Sequence, residues 1–141
     1  MLELRWPSQD DIDALVDLAV DGVHDPAYMP FAHPWTDAPA DELPWRSVQY
    51  YWGVWGSWTP ERWRLDLVTV RDGVVVGTQG VAGEQFAIRR EGHTGSWVGC
   101  RYQRQGIGAE MRAAVLQLLF EGLAAQWAIS DAFEDNAASL G

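Results

Sequence analysis

The residues best suited to chemistry lie together between Ser96 and Ala109, where a short strand runs into a glycine-bearing turn and the turn opens an amphipathic helix. The first N–H groups of a helix have no intrahelical acceptor and carry the positive end of its dipole. Glycine lets such a backbone close tightly around an anion, so the arrangement suits phosphate without a lysine. Arg101, Arg104 and Arg112 gather positive charge here, in a chain whose twenty acids and ten bases give a formal net charge of −10. Any anionic cofactor must therefore be held by local donors against the field of the whole molecule. A dinucleotide fingerprint would need a third small residue where Met111 stands, and a turn this late leaves no room for the second half of a Rossmann sheet. A Walker A loop is excluded because no Gly-Lys-Ser/Thr follows. A glycine turn without a ligand stays open as the plain alternative.

The elements that must position this turn are legible from periodicity. Alternation over Leu2–Trp6 predicts a short strand ended by Pro7, and Ser8 with Asp11 approximates a capping box for a helix over residues 9–23. Five prolines between Pro26 and Pro44 forbid long regular structure there, and a loop of that length suits a lid or a binding wall. A second helix is expected from Pro44 to Ser57, with Trp45, Val48, Trp52 and Trp55 in one stripe and Tyr51 beside them. This loop and helix are expected to form one wall of a substrate-binding cleft. From Trp63 the period becomes two, Asp72-Gly73 supplies a hairpin turn, and Val74–Ala82 returns with Gly77 and Gly80 as bulge sites. Phe86-Ala87-Ile88 reads as an extension of that strand, Arg89–Gly92 as a turn and Thr94–Gly99 as another strand. A helix from Gly106 to Glu121, a strand over Gln126–Ser130 and the start of a helix at Asn136 complete the pattern.

Composition narrows the function. The 141 residues, 48% of them hydrophobic and 21% charged, suit one folded domain. An acidic envelope repels nucleic acid and attracts cations such as amines. No apolar run approaches the roughly 20 residues that span a bilayer, and the N-terminus lacks the pattern of a signal peptide, so no membrane partner and a cytoplasmic location are expected. The single cysteine, Cys100, offers no disulfide and no multi-cysteine metal site, and it reads as a small strand residue. Six of nine tryptophans fall between Trp35 and Trp63, where they serve core or binding wall equally well.

Gln103-Arg104-Gln105-Gly106-Ile107-Gly108 matches Q/R-x-x-G-x-G/A, and the chain thereby resembles the GNAT superfamily of N-acetyltransferases. The flanking residues Thr94–Trp97 and Glu110–Ala114, with Asn136 and Ser139 in an Asn-x-x-Ser element, are similar to its ribosomal-protein N-terminal acetyltransferase branch. The resemblance implies an α/β (α+β) fold with a mixed, mostly antiparallel central sheet flanked by helices. It also implies two strands beyond the fifth, which this chain, ending at Gly141, would lack; 1–141 is then a single acetyltransferase domain truncated after the fifth strand. The open edge at Gln126–Ser130 would invite a dimer or strand exchange.

The same resemblance implies acetyl-CoA as cosubstrate and no metal. Backbone groups of Trp97, Val98 and Gly99 would meet the pantetheine arm, and Gln103, Arg104, Gln105, Gly106, Ile107, Gly108 and Ala109 would form the pyrophosphate turn. Asn136 and Ser139 would sit near the pantetheine and the thiol. The reaction implied is direct acetyl transfer to a primary amine, on a small molecule or a peptide N-terminus. The family commonly has Arg or Lys just before Gly106, where this chain has Gln105. For the catalytic base, Glu84, Asp131 and Glu134 are candidates, with Ser139 beside the thiol. His33 lies in the proline-rich loop and reads as a packing residue. A non-catalytic acyl-CoA-binding module and an assembly fragment are the alternative functions.

Overall fold

A computed structural model describes residues 1–131. Strand β1 (Leu2–Arg5) leads into α1 (Gln9–Asp21), a long loop and α2 (Leu43–Gly56). Strands β2 (Arg62–Arg71) and β3 (Val74–Glu84), a short helix α3 (Phe86–Arg89) and β4 (Glu91–Val98) follow, then α4 (Ile107–Gln117) and β5 (Trp127–Ile129). The five strands form one open sheet in sequential order. Its first three pairings are antiparallel and β4 with β5 is parallel. A parallel neighbour needs a crossover, and α4 supplies it.

Alternation along β2 decides which helix covers which face. Val68 and Val70 pack with Ile12, Leu15, Val16 and Tyr51 from α1 and α2. Leu65 and Trp63 point the other way, where Val81 and Phe86 meet Val115 and Leu119. Val76, Ile107 and Met111 continue that second layer toward β1. The Asp72-Gly73 turn is as expected, with φ of 51° and 82°, the left-handed pair a two-residue hairpin needs. Val76 is the extra residue of a bulge, since Thr69 pairs with Gly77 while Val70 pairs with Val75. The irregularity thus adjoins Gly77 and does not involve Gly80.

Three expectations are corrected. Phe86-Ala87-Ile88 does not extend β3: Gln85 and Arg90, both at φ 51°, bracket the α3 turn, and Phe86 turns into the core. β4 consequently starts at Glu91, three residues earlier than the alternation suggested. The helix after the glycine turn stops at Gln117 and finishes in a wide π turn over Leu118–Gly122. Among the described residues no helix is long and apolar enough to cross a membrane.

The start of α1 is fixed as its sequence indicated. Ser8 Oγ accepts from the Asp11 amide at 3.1 Å, and the Ser8 amide donates to Asp11 Oδ2 at 3.0 Å. Arg5 Nη2 donates to Asp11 Oδ1 at 2.8 Å, tying β1 to the helix. Arg5 first, then the Ser8 amide and hydroxyl, hold the Asp11 carboxyl below the usual carboxylate range, against the opposing effect of burial. Removing the cap with Ser8→Ala should lower stability by about 1 kcal/mol in urea unfolding. The Asp11 contribution is present above the ordinary carboxylate pKa and fades as pH falls through the lowered one, so Asp11→Asn should flatten the acid limb of the stability curve.

Candidate active site

The parallel ladder between β4 and β5 is short. It runs from Glu91↔Trp127 to His93↔Ile129, with a last side-chain contact from Thr94 Oγ1 to the Ile129 carbonyl at 3.4 Å. β4 nevertheless continues to Val98, paired only with β3. The Gly99 amide donates to the Val76 carbonyl at 2.9 Å, which sets the alternation: Trp97 and Gly99 bond toward β3, while Ser96 and Val98 face the opening. Gln103 Nε2 takes the Val98 carbonyl at 2.8 Å and also reaches the Val23 carbonyl at 2.6 Å. The Val98 amide and both backbone groups of Ser96 are left facing a slot that no strand among the described residues fills.

That slot leads to the turn before α4. Gly106 is the helix N-cap at φ 81°, and Arg104 is also left-handed at φ 60°. The first intrahelical bond is Glu110 N–H to the Gly106 carbonyl at 3.2 Å, so the amides of Ile107, Gly108 and Ala109 have no acceptor among the described residues. A Cβ on Gly106 or Gly108 would meet nothing within 4 Å. Gly108 lies inside the helix, where glycine costs about 1 kcal/mol relative to alanine, yet no neighbour requires it. The space above it is free for a ligand.

The charges around the turn are not those the spacing suggested. Arg101 is committed to Asp21, with Nη2 to Oδ2 at 2.7 Å. Arg104 and Arg112 are exposed. Arg71 at the end of β2, which nothing local in the sequence marks, donates from Nη2 to Gln105 Oε1 at 2.6 Å. Gln105 Nε2 in turn donates to the Arg101 carbonyl at 3.2 Å. A cation from another strand thus stands beside the position where the family motif commonly carries its own.

A family model for the acetyltransferase (GNAT) domain matches residues 1–141. The chain belongs to the GNAT acetyltransferase family. Solved structures agree on the fold: RimL, a ribosomal-protein alpha-N-acetyltransferase in complex with coenzyme A, matches at 16% identity and TM-score 0.73, over 99% of this chain and 75% of that one. RimJ from Mycobacterium smegmatis, in complex with CoA-disulfide, matches at 18% and 0.75, over 99% and 66%. An N-acetyltransferase from Staphylococcus aureus matches at 14% and 0.61, over 99% and 78%.

On the α1 and α2 side of this GNAT sheet lies a cleft of about 620 Å³, bounded by Trp58 and Trp63, Arg62 and Arg64, Glu84 and His93. Arg64 on its wall is held by buried Asp66, which accepts from Arg64 Nε at 2.9 Å and from the Tyr50 hydroxyl at 3.0 Å. Burial, then the Asp66 charge, pushes the Tyr50 phenol up to about 12. His93 Nε2 lies 2.9 Å from Glu91 Oε1. The tryptophan stripe divides: Val48, Trp55 and Tyr51 pack on the sheet, whereas Trp45 and Trp52 line a separate groove against α1. The proline-rich loop reaches β4 through Trp35, whose ring lies 5.6 Å from that of Trp97 at a tilt of 43°.

Of the expected base candidates, Glu84 is exposed on the cleft and Asp131 is exposed just past β5. His33 is exposed in its loop. Glu134, Asn136 and Ser139 lie outside the described residues. Among the described residues no cluster of His, Cys, Asp or Glu could hold a metal. His93 falls between the turn residues Arg89–Gly92 and the alternation from Thr94, so nothing local marks it, and only the start of β4 at Glu91 puts it on a strand.

The glycines provide a check on this geometry. Gly108→Ala should fold normally and gain up to about 1 kcal/mol in urea unfolding. A Cβ on Gly99 would instead run into Leu18, so Gly99→Ala should lose about 1–3 kcal/mol.

Proposed function

We propose that this chain transfers acetyl directly from acetyl-CoA to a primary amine on a small molecule or a peptide N-terminus. The observation that carries the reading is the slot beside Ser96 and Val98, which opens onto three helix amides with no acceptor among the described residues. In this reading the amides of Ile107, Gly108 and Ala109 hold the pyrophosphate, Gly106 shapes the approach, and Gln103, Arg104 and Gln105 form the turn around it. The pantetheine lies along β4, bonded by Val98 and Ser96. Trp97 and Gly99 support it from the β3 side, because the Gly99 amide is already spent on Val76. The coenzyme A named with RimL and RimJ supports this reading, as does the family motif. By resemblance, Asn136 and Ser139 close on the thiol.

The acceptor enters from the cleft on the opposite face. The acidic surface favours a cationic substrate, and the ribosomal-protein acetyltransferase among the structural relatives supports a peptide amine. Transfer consists of positioning, loss of the ammonium proton and support of the oxyanion by a backbone N–H. Glu84 and Asp131 are the acids available to this chemistry. The outer edge of β5, unpaired among the described residues, is assigned to self-association, and sedimentation should give a dimer.

Gly108→Val tests the coenzyme turn. Losing two or three amide–phosphate bonds, at roughly 1.5–3 kcal/mol each, should weaken coenzyme A binding by about two orders of magnitude or more in calorimetry. Circular dichroism should report an unchanged fold. Equal affinity in a folded mutant would make the turn purely structural and end this reading.

A further inference from the structure

We infer that His93 is the general base that takes the proton from the acceptor ammonium, with Glu91 as its positioning residue. The inference rests on the acetyl-transfer reading above and goes beyond it by naming a group that the motif does not contain.

The first argument is position along β4. From Val98 back to Thr94 the open edge spans roughly 13 Å at about 3.3 Å per residue. A pantetheine arm laid along this edge from the turn brings its thioester to the place where β4 and β5 part. The last ladder pair before that point is His93↔Ile129. His93 pairs with Ala82 on its other side, and Ala82 pairs with Arg64, so the His93 side chain shares their face and borders the acceptor cleft. It is half exposed, which lets a proton taken from substrate pass on to water.

The second argument is the ring's hydrogen bonding. Glu91 Oε1 lies 2.9 Å from Nε2, and a carboxylate acceptor there places the proton on Nε2 and leaves the Nδ1 lone pair available. No described residue is hydrogen-bonded to Nδ1. Glu91 is itself held by Arg89, with Nη2 to Oε1 at 3.0 Å, so its orientation is set before substrate arrives. The carboxylate also stabilises the imidazolium once it forms.

Three other groups on this face are less well placed. Asp66 is buried and already accepts from Arg64 and Tyr50. Tyr50 keeps its proton, for the reasons given above. Glu84 ends β3 one pair beyond Gly83↔Gly92, farther from the point of separation than His93.

The step balances without a further reactant. The ammonium gives one proton to Nδ1, and the freed amine attacks the thioester carbon, forming the C–N bond. The tetrahedral intermediate then breaks its C–S bond, and the departing thiolate takes the second amine proton. Acetyl-CoA and an ammonium become an acetamide, coenzyme A thiol and one proton, which the imidazolium releases to solvent.

The test measures thiol release from acetyl-CoA with a panel of short free-N-terminus peptides and spermidine, against an amine-free control. His93→Gln, which can still bond Glu91, should lower kcat about 10²- to 10³-fold, with KM and coenzyme A affinity within about twofold. His93→Ala should recover activity in proportion to added imidazole. Glu91→Gln should lower kcat with KM unchanged. A folded His93→Gln protein with kcat near wild type overturns the assignment, and so does a loss in His93→Ala that imidazole fails to restore. If wild type binds coenzyme A but acetylates no amine in the panel, the acetyl-transfer reading falls and this one with it. Normal turnover indifferent to His93 sinks only the base.

Discussion

The site depends on one constraint: two parallel strands that pair for three residues and then part. A ladder carried on to Val98 would satisfy the Ser96 and Val98 backbone groups within the protein and close the slot. Its early end leaves hydrogen-bonding groups that a ligand backbone-like arm can use, in a place already walled by packed side chains. Everything else follows from that separation. The crossover helix α4 must start beside the parted strand, which brings its free amides to the mouth of the slot. The chain between β4 and α4 must turn sharply, and Gly106 with Arg104 in left-handed conformation accomplishes the turn.

Charge is arranged around this geometry and against the net acidity of the chain. Arg101 could have served the anion and instead ties the turn to α1 through Asp21. Arg71 reaches Gln105 from a different strand. One cation thus holds the scaffold while another stands near the ligand end. Gln103 has a similar double role, tying the start of the long loop after α1 at Val23 to the end of β4 at Val98. On the opposite face Asp66 anchors Tyr50 and Arg64, and Arg64 lines the cleft there.

In the proposed reading, the GNAT fold presents two approaches to one gap, an anion-binding end set by backbone and an acceptor cleft set by side chains. The first is generic, because amides and a glycine turn recognise any pyrophosphate. The second draws on side chains of separate segments, Trp58 from the loop after α2, Trp63 and Arg64 from β2 and His93 from β4.

That difference explains what was legible in the residues alone. The capping box at Ser8, the Asp72-Gly73 hairpin, the order of elements and the Gly106–Gly108 turn are local devices, written in consecutive residues. Residue order sufficed for them, since each is set by backbone preferences over a few positions. The start of β4 at Glu91 was not legible: Arg89–Gly92 has turn composition, and only the docking of Phe86 into the core makes α3 a turn and frees Glu91 to pair. The pairing of Arg101 with Asp21, the reach of Arg71 to Gln105, the split of the tryptophan stripe and the presence of His93 on the cleft were decided by tertiary structure alone. Each joins groups whose separation in sequence carries no period, and only the register of the sheet and the packing of helices upon it bring them within hydrogen-bonding distance.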